Sequence, residues 1–428
     1  MNNADIAWML VSTALVLLMT PALGFFYGGM VRSKNALNTL MMSFVALGPI
    51  GVLWALVGYS LAFAPGGAFV GSLSFAGLSG VGLEAQGTIP HVLFMAFQGT
   101  FAIITAALIS GAVVERLRFN SYLVFITLWM LVVYAPVAHW VWGGGFLASD
   151  GALDFAGGAV VHVNAAAAAL VAALVVGPRK DYGHHAILPH NVPFTLLGAG
   201  LLWFGWFGFN AGSALGANPV AGLAFVNTLL APSATLATWT LVDAMRGGRV
   251  TAIGAATAIV VGLVVITPAA GYVSPLSAIA MGVIGAFPSY FALIYRTRTK
   301  LDDSLDVVAA HGTGGATGAI LTGVFADPAW SGGASGLLAG NAAQVGIQLY
   351  SVLVVAIYSG VATFVVMKLV GVLFPLRITA RVEGMGMDVA EHGEEAYTTG
   401  DGAILVSPGD TAVRRHATAA VPHAGGGL

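Results

Sequence analysis

The sequence predicts an all-α polytopic membrane protein: eleven transmembrane helices in an inverted 5+5 repeat plus one, N-terminus out and C-terminus in. Three observations predict it. Of 428 residues, 58% are hydrophobic and 8% charged, whereas soluble proteins carry about 25% charge, so a water-facing surface cannot be built. Apolar runs approaching the roughly 20 residues that cross some 30 Å of hydrocarbon recur along the chain. Lys and Arg gather in every second connection between those runs, the signature of a chain threaded back and forth.

The runs occupy residues 6–30, 36–63, 90–113, 121–140, 157–177, 193–213, 219–243, 250–271, 276–295, 306–325 and 348–374. The first is read as a retained span, because residues 1–8 lack a basic stretch and include Asp5, and the apolar run is longer than that of a cleaved signal. Arg32 and Lys34, Arg116 and Arg118, Arg179 and Lys180, Arg246 and Arg249, then Arg296, Arg298 and Lys300 mark alternate connections. Lys368, Arg377, Arg381, Arg414 and Arg415 lie at or beyond the end of the last run, and the other connections and the N-terminus carry neither Lys nor Arg. The positive-inside rule then sets the orientation, and an odd number of spans agrees with it.

A repeated unit of five spans must be inverted in the membrane. In the first and sixth runs, Phe25-Phe26-Tyr27-Gly28-Gly29 is echoed by Trp206-Phe207-Gly208-Phe209-Asn210; in the fifth and tenth, Asp154…His162 is echoed by Asp306…His311. After Pro375 the composition changes, with 11 charged residues between 377 and 428. Residues 1–376 therefore read as the transmembrane domain. Residues 377–428 read as a cytoplasmic tail, disordered after about 398, where Gly, Ala and Thr prevail.

Composition also excludes functions. With no cysteine, the chain has no disulfide, thiolate nucleophile or Cys-ligated metal. A net charge of −2 and no basic block argue against a nucleic-acid partner. Membrane lipid is the expected surroundings, and no cofactor or metal site is expected.

His162 and His311 lie within apolar runs, where an ionisable group is costly and is by default a functional candidate. The inverted repeat would bring the fifth and tenth spans together, so the two imidazoles would meet at mid-membrane and share a proton. The alternative is a polar helix–helix contact. Asp154, just before the fifth run, suits a helix N-cap, and an anion held by backbone amides stays ionised and can favour a nearby cation. Trp142 has the position of an interfacial belt residue. Phe101, Phe209 and Ser213 are, singly, ordinary membrane-helix residues.

Together these residues are more specific. Phe26-Tyr27-Gly28-Gly29, Val141-Trp142-Gly143-Gly144-Gly145, the stretch from Asp154 through Gly157-Gly158 to His162, and Gly205-Trp206-Phe207-Gly208-Phe209-Asn210-Ala211-Gly212-Ser213 resemble the signature segments of the ammonium transporter (Amt/Mep/Rh) family. Asp306 through His311-Gly312 resembles its second histidine segment, and the resemblance runs over about residues 10–397. It implies a bacterial Amt-type channel in the inner membrane, a homotrimer of eleven-helix protomers each with its own pore, and not an enzyme. Trp142 and Ser213 match the positions that hold ammonium or methylammonium in an outer vestibule, with Phe101 contributing; Phe101 and Phe209 match the stacked rings of the gate. His162 and His311 match the pore-lining histidines, and Asp154 the aspartate that supports recruitment and deprotonation. Ammonia would then be conducted, with or without a separate proton path. Residues 386–397 resemble the cytoplasmic end that meets PII signal proteins, whereas the residues after Tyr397 extend beyond the pattern. Two rival readings remain at this stage: an ammonium sensor, which a regulatory domain after the last span would favour, and a neutral-solute channel, which would need no vestibule tryptophan.

Overall fold

Helix starts are written into the polar residues that precede the apolar runs. Asn191, Asn218 and Ser274 each accept a hydrogen bond from a backbone N–H in the first turn of the following helix (Phe194, 3.1 Å; Ala221, 3.0 Å; Ser277, 3.1 Å), and a proline stands in that turn each time. These side chains satisfy amides that would otherwise face hydrocarbon unpaired, and proline there loses no bond. Gly248, at φ +67°, ends one helix in the left-handed conformation that glycine adopts without strain.

The computed structural model describes residues 1–397, so the expected disorder after about 398 lies outside the described residues. Among the described residues, nine helical segments are long and apolar enough to cross a membrane: Asn3–Met30, Ser33–Phe63, His91–Ala112, Phe119–Ser149, Gly158–Val176, Val192–Gly212, Pro219–Gly247, Pro275–Arg296 and Ala343–Leu373. They coincide with nine of the eleven runs. On the eighth run stands a shorter helix, Ala252–Ile266, which gives way at Thr267-Pro268. On the tenth, a π-helical turn, Val308–Thr313, leads into Gly314–Phe325; glycines at 312, 314, 315 and 318 dilute its hydropathy. One element falls outside the all-α expectation: a small antiparallel hairpin, Ala85–Gln86 with Ile89–Pro90, in the connection after the second segment.

Small residues decide how closely the segments approach. The first and sixth pack along their length, and a Cβ at Gly208 would stand 2.6 Å from Leu15 Cβ, so only glycine permits the contact. The fifth and tenth meet in the same way, since a Cβ on Gly315 would lie 2.9 Å from His162 Cβ.

The connections rich in Lys and Arg lie at one end of the bundle and are tied together there. Glu115, with its side chain fully buried, pairs with Arg32 (3.1 Å) and Arg179 (2.9 Å), and Arg179 also reaches Asp302 (2.8 Å). Burial pushes the Glu115 carboxyl up, but Arg179 and Arg32 outweigh it and hold the group below its ordinary range. Residues 377–397 pack onto this basic end. Arg377 pairs with Glu383 (2.9 Å), and Asp388 accepts hydrogen bonds from the backbone N–H groups of Leu37 (3.0 Å) and Asn38 (2.8 Å). Glu391 does the same for Phe119 (3.1 Å).

Candidate functional site

The glycine-mediated contact of the fifth and tenth segments brings the two intramembrane histidines together. His162 Nδ1 and His311 Nδ1 are 3.2 Å apart, one ring donating to the other, and the rings are near-parallel with centroids 5.2 Å apart. Both are buried, and His162 Nε2 has no partner among the described residues. Each ring projects from a π-helical turn, Gly158–Val163 or Val308–Thr313, a local widening of the helix that recurs at functional sites.

The residues before these turns revise the sequence-level pairing of the repeats. Asp154 Oδ1 accepts from the N–H groups of Gly157 and Gly158 (2.9 and 2.6 Å), and Oδ2 from Ala159 and Val160 (2.8 and 3.0 Å). Its counterpart is Asp303, whose Oδ2 accepts from Val308 N–H (2.7 Å); Asp306 instead pairs with Arg296. The signal was available in the spacing: eight residues separate Asp154 from His162 and Asp303 from His311. Asp306 matches Gly157, and both have positive φ, +60° and +119°.

Away from the basic end, a cavity of about 260 Å³ is lined by Phe101, Trp142, Ser213, Gln98 and Phe155 among others. Trp142 Nε1–H donates to the backbone carbonyl of Asp154 (2.8 Å), and the Ser213 hydroxyl to Phe209 O (2.8 Å). Asp154 is not among the lining residues; its carboxylate is turned to the helix N-terminus. Below the cavity, Phe101 and Phe209 lie with centroids 4.3 Å apart, and Phe209 is 6.0 Å from the His162 ring. Beyond His162, His311 lines a second cavity of about 240 Å³ toward the basic end, with Tyr27, Asp243 and Asp306. The order is therefore cavity, phenyl pair, histidine pair, cavity.

Sequence reasoning did not single out Trp206, which stacks on His162 (5.5 Å, 24°) and donates to Thr267 Oγ1 (2.9 Å), although it lies in the aromatic echo. It also passed over Gln344 and Gln348, two amides four residues apart in the helix Ala343–Leu373. Among the described residues no cluster of three His, Asp or Glu side chains is arranged to hold a metal ion.

A helical bundle with many membrane-crossing segments, and a narrow file of aromatic and imidazole rings between two cavities, is a membrane transporter. The Ammonium Transporter Family profile matches residues 7–397. An ammonium transporter of Bacillus subtilis (strain 168) is 47% identical over 402 residues, 93% of this chain and 99% of that protein. The crystal structure of Candida albicans Mep2 superposes with a TM-score of 0.83 at 37% identity, covering 89% of this chain and 87% of the other. A sensor Amt protein superposes with a TM-score of 0.85 at 29% identity, covering 91% and 98%. The chain belongs to the ammonium transporter family and is not an enzyme.

Proposed function

We propose that this protein takes up ammonium across the cell inner membrane by recruiting the ion at the cavity around Trp142, removing its proton, and conducting ammonia past the histidine pair. The observation that carries the reading is the unbroken file from Phe101 through Phe209 and His162 to His311, joining the two cavities. In it the cavity holding Trp142, Ser213 and Phe101 is the outer vestibule, Phe101 and Phe209 are the gate, and the basic end is cytoplasmic. The chain crosses the membrane eleven times with its N-terminus outside, and three copies assemble, each with its own path.

The physics favours deprotonation. An ion stripped of water in an apolar passage loses tens of kcal/mol of solvation before compensation. A cation over the Trp142 face gains roughly 0.5–2 kcal/mol, enough to concentrate ammonium at the mouth and far too little to carry it through. Ammonia is neutral and can hydrogen-bond to an imidazole file. Potassium has no proton to shed and is excluded. Asp154, fixed by four amides, supports the cation from behind Trp142 through its negative charge, and a separate route returns the proton. The tail packed on the basic end, with the adjoining Arg-bearing connections, offers a docking surface for a PII signal protein.

Current recording in proteoliposomes under an ammonium pulse, with pH and voltage varied and potassium as competitor, tests the reading. His162→Ala and His311→Ala are each expected to cut ammonium current at least about tenfold, a barrier increase of some 1.4 kcal/mol, while assembly is retained on gel filtration. Wild-type current and selectivity in both would reduce the pair to helix–helix contact. Trp142→Leu is expected to raise the half-saturating ammonium concentration more than it lowers the maximum. The similarity to a sensor Amt protein supports a second reading, ammonium binding with little flux; ammonium-dependent binding without current would favour it.

A further inference from the structure

The loop that carries Asp154 is tied on either side of Leu153, by Ala152 N–H to Leu147 O (3.0 Å) and Phe155 N–H to Pro268 O (3.1 Å), and the last membrane segment holds Leu153 itself. Gln348, in the helix Ala343–Leu373, is 2% exposed and uses its whole amide. Its Oε1 accepts from Leu153 N–H (2.8 Å), and its Nε2 donates to Leu153 O (2.7 Å) and Ala319 O (3.0 Å). One turn earlier, Gln344 Nε2 donates to Gly151 O (2.9 Å) and to Gln348 Oε1 (3.3 Å). Gln348 thus pairs with both backbone groups of Leu153, as a neighbouring strand would, in a setting where each unpaired polar group is costly. The next residue is Asp154, whose carbonyl receives the Trp142 indole N–H and whose carboxylate caps the helix bearing His162.

We infer that Gln348, with Gln344 beside it, is a positioning residue for ammonium recruitment: it fixes Leu153, and through Asp154 it sets the Trp142 ring at the cavity. It is not among the residues lining the cavity; it reaches the site through Leu153 and, by its bond to Ala319 O, also touches the tenth segment. The inference rests on the recruitment reading above. A side chain of the same length without hydrogen-bonding groups frees both backbone groups of Leu153, lets the loop shift, and releases the carbonyl that holds the indole. The half-saturating concentration then rises, while the histidine pair, held by Gly315 and the two π-helical turns, continues to conduct.

The experiment compares Gln348→Met with Gln344→Met, Trp142→Leu and the double variant Gln348→Met/Trp142→Leu, in full-length protein reconstituted at matched density. Ser359→Ala is the structural control: it removes one hydrogen bond of the same last segment, Ser359 Oγ to Asn164 O in the fifth segment (2.8 Å), away from the loop. Gln348→Met is expected to raise half-saturation roughly three- to tenfold with the maximal current within about twofold, Gln344→Met to shift it less in the same direction, and Ser359→Ala to leave it in place. The double variant is expected to match Trp142→Leu alone, because residues acting through one contact are not additive. Unchanged half-saturation in Gln348→Met, a fall in maximal current alone, or fold-changes that multiply in the double variant would overturn the inference. If Gln348→Met fails to assemble, Gln348→Glu, which keeps the acceptor for Leu153 N–H and loses both donors, takes the same test with the same criteria. Failure of the recruitment reading has its own mark: Trp142→Leu would leave half-saturation unchanged whatever Gln348→Met does.

Discussion

Asp303 is a carboxylate whose surroundings favour its neutral form. It is fully buried, with one oxygen on Val308 N–H and the other without a partner among the described residues. Burial, reinforced by the neighbouring Asp306 charge, pushes it up to about 7, against the smaller opposing effects of the Val308 amide and Arg296. A carboxyl near 3.9 in the unfolded chain therefore binds its proton more tightly when folded. The stability it contributes is complete below about pH 4 and is lost as pH rises through about 7. Asp303→Asn keeps an oxygen for Val308 and cannot ionise. It is expected to flatten the decline in melting temperature between about pH 4 and 7, measured by tryptophan fluorescence in detergent. An unchanged slope would assign the titration to another group. This residue also marks a limit of legibility. His162 and His311 stood out because polar side chains interrupt apolar runs, and Trp142 only through the segments that resemble the family, but the choice between Asp303 and Asp306 depended on which one turns its carboxylate to the helix start.

At the level of elements, the apolar runs located the helices to within a few residues because each must satisfy its own backbone within the hydrocarbon. What they did not disclose depends on tertiary partners. The π-helical turns at His162 and His311 and the Gln348 brace are fixed by contacts between segments distant in sequence, whereas the 85–90 hairpin pairs locally but is too short to show an alternating pattern. The tail belongs to the same class: its charges announced a change of environment, but nothing local showed that Asp388 caps the helix Ala36–Phe44 by accepting from Leu37 and Asn38. Removing such a cap costs about 0.5–2 kcal/mol. Asp388→Ala is accordingly expected to speed amide exchange across residues 386–397 roughly two- to thirtyfold, the ratio those energies correspond to. Hydrogen–deuterium exchange with mass spectrometry measures it. Unaltered exchange there would mean that Glu391 and Met387, which bonds to Asn35 (2.8 Å), hold the segment without the cap.

For the whole molecule, the proposed orientation rests on the distribution of charge. The Arg-bearing connections meet at one end in a network of buried ion pairs, Glu115 and Asp302 compensating Arg32 and Arg179, so several of the basic residues that direct insertion also join the connections once folded. The opposite end carries the long connections of residues 64–90 and 326–342, without Lys or Arg. In the proposed orientation the basic loops stay on the cytoplasmic side, with the Trp142 cavity outside and the tail inside. The absence of cysteine makes this directly testable, since any introduced thiol is unique. Ser79→Cys and Ala339→Cys, exposed at the end away from the basic network, are expected to react with a membrane-impermeant maleimide in intact cells. Arg249→Cys and Arg298→Cys, also exposed, are expected to react only after permeabilisation. The reverse pattern would invert the transporter and assign the Trp142 cavity to the exit. Labelling of both groups from one side would require an even number of crossings between them and would overturn the eleven-span thread.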